Sequence, residues 1–215
     1  MSAKTIAARL LDVDVMKKRC QSLAMLDAIL SPEWEYRYYS FNSKWADGQM
    51  LASMRNGSGD DYFILFNAHG AILKGFAHEA PMSPYAREPK QVWPGVLDEV
   101  PNEFADFLTE PAFSINDTTF CLWRRYSDSK WQTGDVKYPA DDDPDGAEDL
   151  LGLLTGGVCD YQEFAQSYFE KALPLSAIEY VYQQRPLTNE FVALLNPEID
   201  LASLRDDIEE INYPT

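Results

Sequence analysis

Between Tyr36 and Phe76, four strand-like runs follow one another with only short turns between them, and this spacing constrains the fold more than any other feature. Tyr36 to Phe41 reads as a strand by its aromatic content. Asp47-Gly48 is a turn signal, and Gln49 to Arg55 follows as a second run. Asn56-Gly57-Ser58-Gly59-Asp60-Asp61 is a loop, Tyr62 to Phe66 a third run, Asn67-Ala68-His69-Gly70 a turn, and Ala71 to Phe76 a fourth run. Parallel neighbours need a crossover of about a dozen residues or more, which these connections lack, so the runs are expected to pair as an antiparallel meander. Tyr62 to Phe66 is apolar at successive positions, which suits a central strand covered on both faces.

The flanks differ in character. Residues 5–30 carry Ile6, Leu10, Val13, Leu23, Leu26 and Leu30 at helical spacing, and Ser31-Pro32 ends that helix. Residues 79–101 hold Pro81, Pro84, Pro89, Pro94 and Pro101, the composition of an ordered loop. Asn102 to Leu108 is expected as a short helix and Thr118 to Tyr126 as a fifth strand. The acidic turn Asp141 to Gly146 leads into a helix over Ala147 to Leu154. Asp160 is expected to cap a further helix with Glu163 as capping-box partner, and Phe164, Tyr168 and Ala172 on one face. Ile178 to Tyr182 alternates like a strand but suits a helix as well. Thr188 caps Asn189 to Leu195, and Leu201 to Ile211 is a last helix. The order predicts an α+β fold: an antiparallel meander in the N-terminal half, flanking helices, and a helical C-terminal third. A single domain over 1–215 is expected, with 141–146 as the one plausible minor boundary.

The chain has 35 acidic and 18 basic residues, a net charge of −17. Such a surface repels phosphate backbones and anionic headgroups, so neither nucleic acid nor a membrane is expected as partner, and a basic protein is. No stretch approaches the ~18–20 apolar residues of a membrane helix, and the N terminus shows no signal-peptide pattern, which makes the cytoplasm the expected location. Cys20, Cys121 and Cys159 are widely spaced and odd in number, and read as small buried residues rather than a disulfide framework.

Motifs for chemistry are sparse. There is no nucleophile elbow, phosphate loop or dinucleotide fingerprint, and no cofactor is expected. Asp141, Asp143, Asp145 and Gly146 match the first half of a calcium-binding loop, but Gly152 stands where the bidentate Glu belongs, which leaves a weak calcium candidate. His69 and His78 read as structural or surface histidines; His78 beside Glu79 is the alternative catalytic pairing, and carboxylates are too abundant to single out an acid/base pair among them. Arg124 and Arg125, in a strand with Trp123 and near Trp131, either stack on aromatics or hold an anion, or belong to an edge strand neutralised by the many nearby acids. Trp93, Trp123 and Trp131 lie in loops or beside polar residues, and are candidate anchors for a partner.

Val100-Pro101-Asn102-Glu103-Phe104-Ala105-Asp106-Phe107-Leu108 resembles the helix start common in the SUKH superfamily of bacterial toxin-immunity proteins. The likeness covers these nine residues. In that family the segment precedes the strands and a Gly-rich turn comes after it. Here four expected strands come first and the turn is absent, so the resemblance is local and implies no membership. The residues are also those of any proline-initiated amphipathic helix.

The expected function is therefore a non-catalytic acidic protein-binding domain. The alternatives are an immunity protein that neutralises a basic toxin, and an enzyme whose site is assembled from non-sequential residues.

Overall fold

The computed structural model describes residues 1–215. Helix α1 (Ala3–Ile6) and helix α2 (Val13–Leu30) precede the strands β1 (Tyr39–Ala46), β2 (Gln49–Arg55), β3 (Asp61–Asn67) and β4 (Gly70–Phe76). After a long excursion containing α3 (Ala105–Thr109), β5 (Phe120–Arg125) completes the sheet. All neighbours are antiparallel, in the order β1-β2-β3-β4-β5, so β3 is the central strand. The chain ends in α4 (Ala147–Leu150), α5 (Gly152–Thr155), α6 (Val158–Tyr168), α7 (Leu175–Tyr182), α8 (Asn189–Leu195) and α9 (Arg205–Ile211). This is the α+β architecture expected, and no helix is long and apolar enough to cross a membrane.

The period-two alternation of β3 divides the interior. Tyr62, Ile64 and Phe66 join a core of 42 buried residues built from α2 and the C-terminal helices, while Phe63 and Leu65 join a second core of 12. The second core is closed by the proline-rich excursion, through Met82, Val96, Phe104, Phe107 and Phe113. The larger core runs from Ala3 to Tyr213 and so draws on both sides of the acidic turn at 141–146.

Several local expectations give way to tertiary contacts. The helix expected over residues 5–30 is broken between Ile6 and Val13. Within the break, the Trp131 indole N–H donates to the Leu11 carbonyl at 2.7 Å, and Arg124 pairs with Asp12 at 2.6 Å. These groups are held from outside rather than by a continuing helix. β1 begins at Tyr39 rather than Tyr36, because Trp34–Tyr36 forms a single 3-10 turn. The expected helix Ala147 to Leu154 comes as two short turns, with Leu151 off helical geometry between them. α6 begins at Val158, so Asp160 is its third residue; its carboxylate accepts from the Gly157 N–H at 2.6 Å instead of forming a box with Glu163. α6 ends at Tyr168, before Ala172. Ile178 to Tyr182 is helical: Ala177, Ile178 and Val181 are buried together, a spacing only a helix turns to one side. The Thr188 hydroxyl accepts from the Phe191 N–H at 3.2 Å, as a helix cap should. The last helix starts at Arg205, after turns over 201–204. Cys20 and Cys121 are buried, but Cys159 is exposed on α6.

On β4, Gly75 sits opposite Phe120, and a Cβ there would lie 2.0 Å from the Phe120 ring, so the ring occupies the space a side chain would take. The adjacent Lys74 is fully buried among the residues of the second face; its ammonium lies 3.0 Å from the Asp61 carboxylate and donates to the Asp117 carbonyl at 2.8 Å.

Candidate functional site

After Ser31-Pro32 ends α2, the residues Glu33, Trp34, Glu35 and Tyr36 alternate charge with aromatic surface. A turn built this way can bury neither set completely. Trp34 and Tyr36 are each 58% exposed, and Tyr168, at the end of α6, is 43% exposed. The three line one concavity of about 280 Å³ with Tyr38 and Ser40 from β1, Ser53 and Arg55 from β2, and Gly57. The Tyr168 hydroxyl donates to the Tyr36 carbonyl at 3.1 Å, and its ring meets that of Tyr38 edge-on at 4.6 Å. Burial raises the hydroxyl pKa of both Tyr38 and Tyr168, so both phenols are neutral at physiological pH.

The floor is polar. Ser40 and Ser53 face each other across the β1–β2 pair, with hydroxyl oxygens 2.7 Å apart. Arg37 is immobilised by a two-pronged ion pair with Asp207 and by the carbonyls of Ser31 and Pro32, each at 2.9 Å. The Arg55 guanidinium has no such partner; it stands 5.8 Å from the Trp34 ring centre and 5.5 Å from that of Phe63. A rigid aromatic rim over a small polar floor is the composition of a recognition site. A larger depression of about 510 Å³ near the C terminus, beside Leu187, Leu201, Arg205 and Ile208, is lined by no aromatic side chain.

The residues singled out from the sequence lie elsewhere and do not form one patch. Trp123 is 3% exposed and packs in the second core; Trp131 is 2% exposed and packs in the larger one. Both were expected at the surface, and they face opposite sides of the sheet. Their burial comes from pairing: Trp123 bridges to Gln132, while the Trp131 indole spends its N–H on Leu11. Trp93 is half-buried, donates to the Lys137 carbonyl at 3.0 Å, and carries the Arg87 guanidinium 4.9 Å above its ring. Arg124 is paired with Asp12 at 2.6 Å and Arg125 with Glu103 at 3.1 Å. These are the acid-neutralised strand-end arginines that the sequence allowed as one of two readings.

The carboxylates of the acidic turn point at backbone amides. Asp141 accepts from Asp143 N at 3.0 Å, and Asp143 from Glu148 N and Asp149 N at 3.2 Å each. Asp145 is fully buried and accepts from Ala3 N at 2.9 Å and Ala147 N at 3.1 Å; burial pushes its carboxyl up to about 6. No cluster of three or more His, Cys, Asp or Glu side chains is arranged to hold a metal ion.

His78 pairs with Asp60, 2.6 Å from its Nδ1, rather than with Glu79, which is 3.8 Å from Nε2. The hydrogen bond that the His78 ring donates to the Asp60 carboxylate raises the His78 pKa. Asp60 is lowered, because bonds from the His78 amide and ring and from Asn56 outweigh its desolvation.

Trp34, Tyr36, Arg55 and Tyr168 were not among the residues chosen from the sequence. The sequence signal for them is the acid–aromatic alternation directly after a proline helix stop, which competes with the strand pattern of Tyr36 to Phe41. No family model matches the chain, and neither curated proteins nor solved structures yielded a match to it.

Proposed function

We propose that this chain is a non-catalytic protein-binding domain whose partner is a basic protein, received at the cleft of Trp34, Tyr36 and Tyr168. One observation carries the reading. Three of the large aromatic side chains left exposed converge on a single concavity, with Glu35 between Trp34 and Tyr36 in its lining and Glu33 next to it in the sequence. Tyr and Trp bury large rigid surfaces at low entropic cost and dominate binding hot spots, and carboxylates between them favour a cationic partner. The net charge of −17 adds long-range attraction that raises the association rate. Neutralisation of a basic toxin is one setting that uses this chemistry.

The experiment is capture from the native host with the intact chain, alongside the Trp34→Ala and Tyr168→Ala variants. A basic protein retained by the parent and lost from both variants is expected. Association with that protein should slow steeply between ~50 and ~500 mM salt, while dissociation changes less. A captured partner that is acidic, or one held equally by both variants, removes the reading.

A further inference from the structure

The antiparallel register sets Asp61 directly opposite Arg55, the position from which a carboxylate ordinarily neutralises a cross-strand arginine. Asp61 is engaged otherwise. Its Oδ1 lies 3.0 Å from the ammonium of Lys74, a side chain with no exposure to solvent of its own. A buried cation without a counter-charge costs several kcal/mol, far more than an exposed one, so the carboxylate goes to Lys74. Arg55 is left in the cleft with no carboxylate oxygen within 4 Å of its guanidinium, in a chain holding 35 acidic residues. The rings of Trp34 and Phe63 flank it, and neither accepts its in-plane N–H donors. Beside it, the Ser40–Ser53 hydroxyl pair spends one hydrogen between its two oxygens and keeps the other to donate. The second guanidinium lining the cleft, Arg37, spends four of its five N–H donors on Asp207 and two carbonyls.

We infer that Arg55, with the Ser40–Ser53 pair, is a subsite for a single oxyanion, a carboxylate or phosphate, that the protein partner presents between the aromatic walls. The inference deepens the proposed function and rests on it for the identity of the bearer. It also supplies a discriminating element. An acidic surface alone attracts any basic protein, whereas an arginine of the cleft with no carboxylate in ion-pair contact disfavours one that brings a lysine or arginine to that point and accepts one that brings an acid. Glu35 is the one carboxylate lining the cleft, and Asp61, opposite Arg55 across the strands, still acts on that guanidinium although its own oxygen is 3.0 Å from Lys74; screening over about 8 Å at physiological salt leaves more distant acids little influence on the bound group.

Arginine side-chain Nε–H resonances of the full chain test this directly. The protein is titrated with sodium acetate and, separately, with sodium phosphate, against sodium chloride at matched ionic strength. Arg55 and Arg205 are both exposed, and Arg55 should shift saturably with a midpoint about ten-fold below that of Arg205, which has no hydroxyl pair beside it. That response should weaken in Ser53→Ala, and the saturating resonance should vanish in Arg55→Gln. A lower midpoint for acetate assigns a carboxylate, and one for phosphate assigns a phosphorylated group. An Arg55 resonance that moves no more than Arg205 in either salt overturns the subsite. Capture that depends on Trp34 and Tyr168 would then still stand, so the two failures are separable.

Discussion

Asp27, in the last turn of the long helix α2, holds the first residue of β1: its Oδ2 accepts the backbone N–H of Tyr39 at 2.8 Å and that of Tyr38 at the same distance. Its other oxygen accepts the Tyr161 hydroxyl at 3.3 Å. One fully buried carboxylate thus ties the helix, the sheet and α6 together, and fixes where the chain leaves the Trp34 turn to become a strand.

Desolvation pushes the Asp27 carboxyl up to about 7, against the opposing pull of its amide and hydroxyl donors. An unfolded Asp titrates near ~3.9, so between those two values the folded state holds a proton that the unfolded state has released. The stability contributed by that proton is fully present below the unfolded pKa and is lost as pH rises through the folded one. Asp27→Asn keeps an oxygen for the two amides and removes the charge. Relative to this variant, the parent should lose on the order of a few kcal/mol between about pH 4 and pH 8. Urea denaturation of both proteins across that range checks it; parallel curves would show that Asp27 does not titrate there.

Lys74→Met should cost ~1–3 kcal/mol, less than the ~3–5 kcal/mol of a buried carboxylate left with no cation, because Arg55 stands opposite Asp61 and can take up part of its charge. Adding Asp61→Asn to that variant should recover much of the loss, since no unpaired charge then remains. A double variant as unstable as the single one would place the cost in packing around the Lys74 stem. Chemical denaturation of the three proteins makes the comparison.

Gly75→Ala drives a methyl group into the Phe120 ring, and should destabilise by ~1–3 kcal/mol through displacement of that ring. Gly75→Ala combined with Phe120→Leu should cost less than the sum of the two single changes, because the clash disappears. Strict additivity in thermal melts would mean that the ring is not what makes this position a glycine.

Asp145→Ala strips the Ala3 and Ala147 amides of their buried acceptor and should cost ~1–3 kcal/mol. Millimolar calcium should leave the parent melting temperature nearly unchanged, because these carboxylates already serve backbone donors. A saturable rise that disappears when Asp141 and Asp143 are both replaced by Ala would restore the turn as a cation site.

The sheet was legible because its signals are local. Alternation along β2 to β4, the Asp47-Gly48 turn and the doubly apolar run at Tyr62 to Phe66 depend on residues a few positions apart, and these strands stand within a residue or so of where they were expected. The Thr188 cap belongs to the same class. The helix break between Ile6 and Val13 was not legible, because its causes, Trp131 and Arg124, are more than a hundred residues away. Nor was the burial of Trp123 and Trp131, since a tryptophan beside charged neighbours is compatible with either environment until a distant segment closes over it. The cleft itself joins the Trp34 turn, the end of β2 and the end of α6, three places that no short-range pattern links. Its charge was decided by competition in the folded protein: Asp61 has two cations within reach, and the desolvated one takes it, a preference set by burial, which exists only once the sheet has been covered.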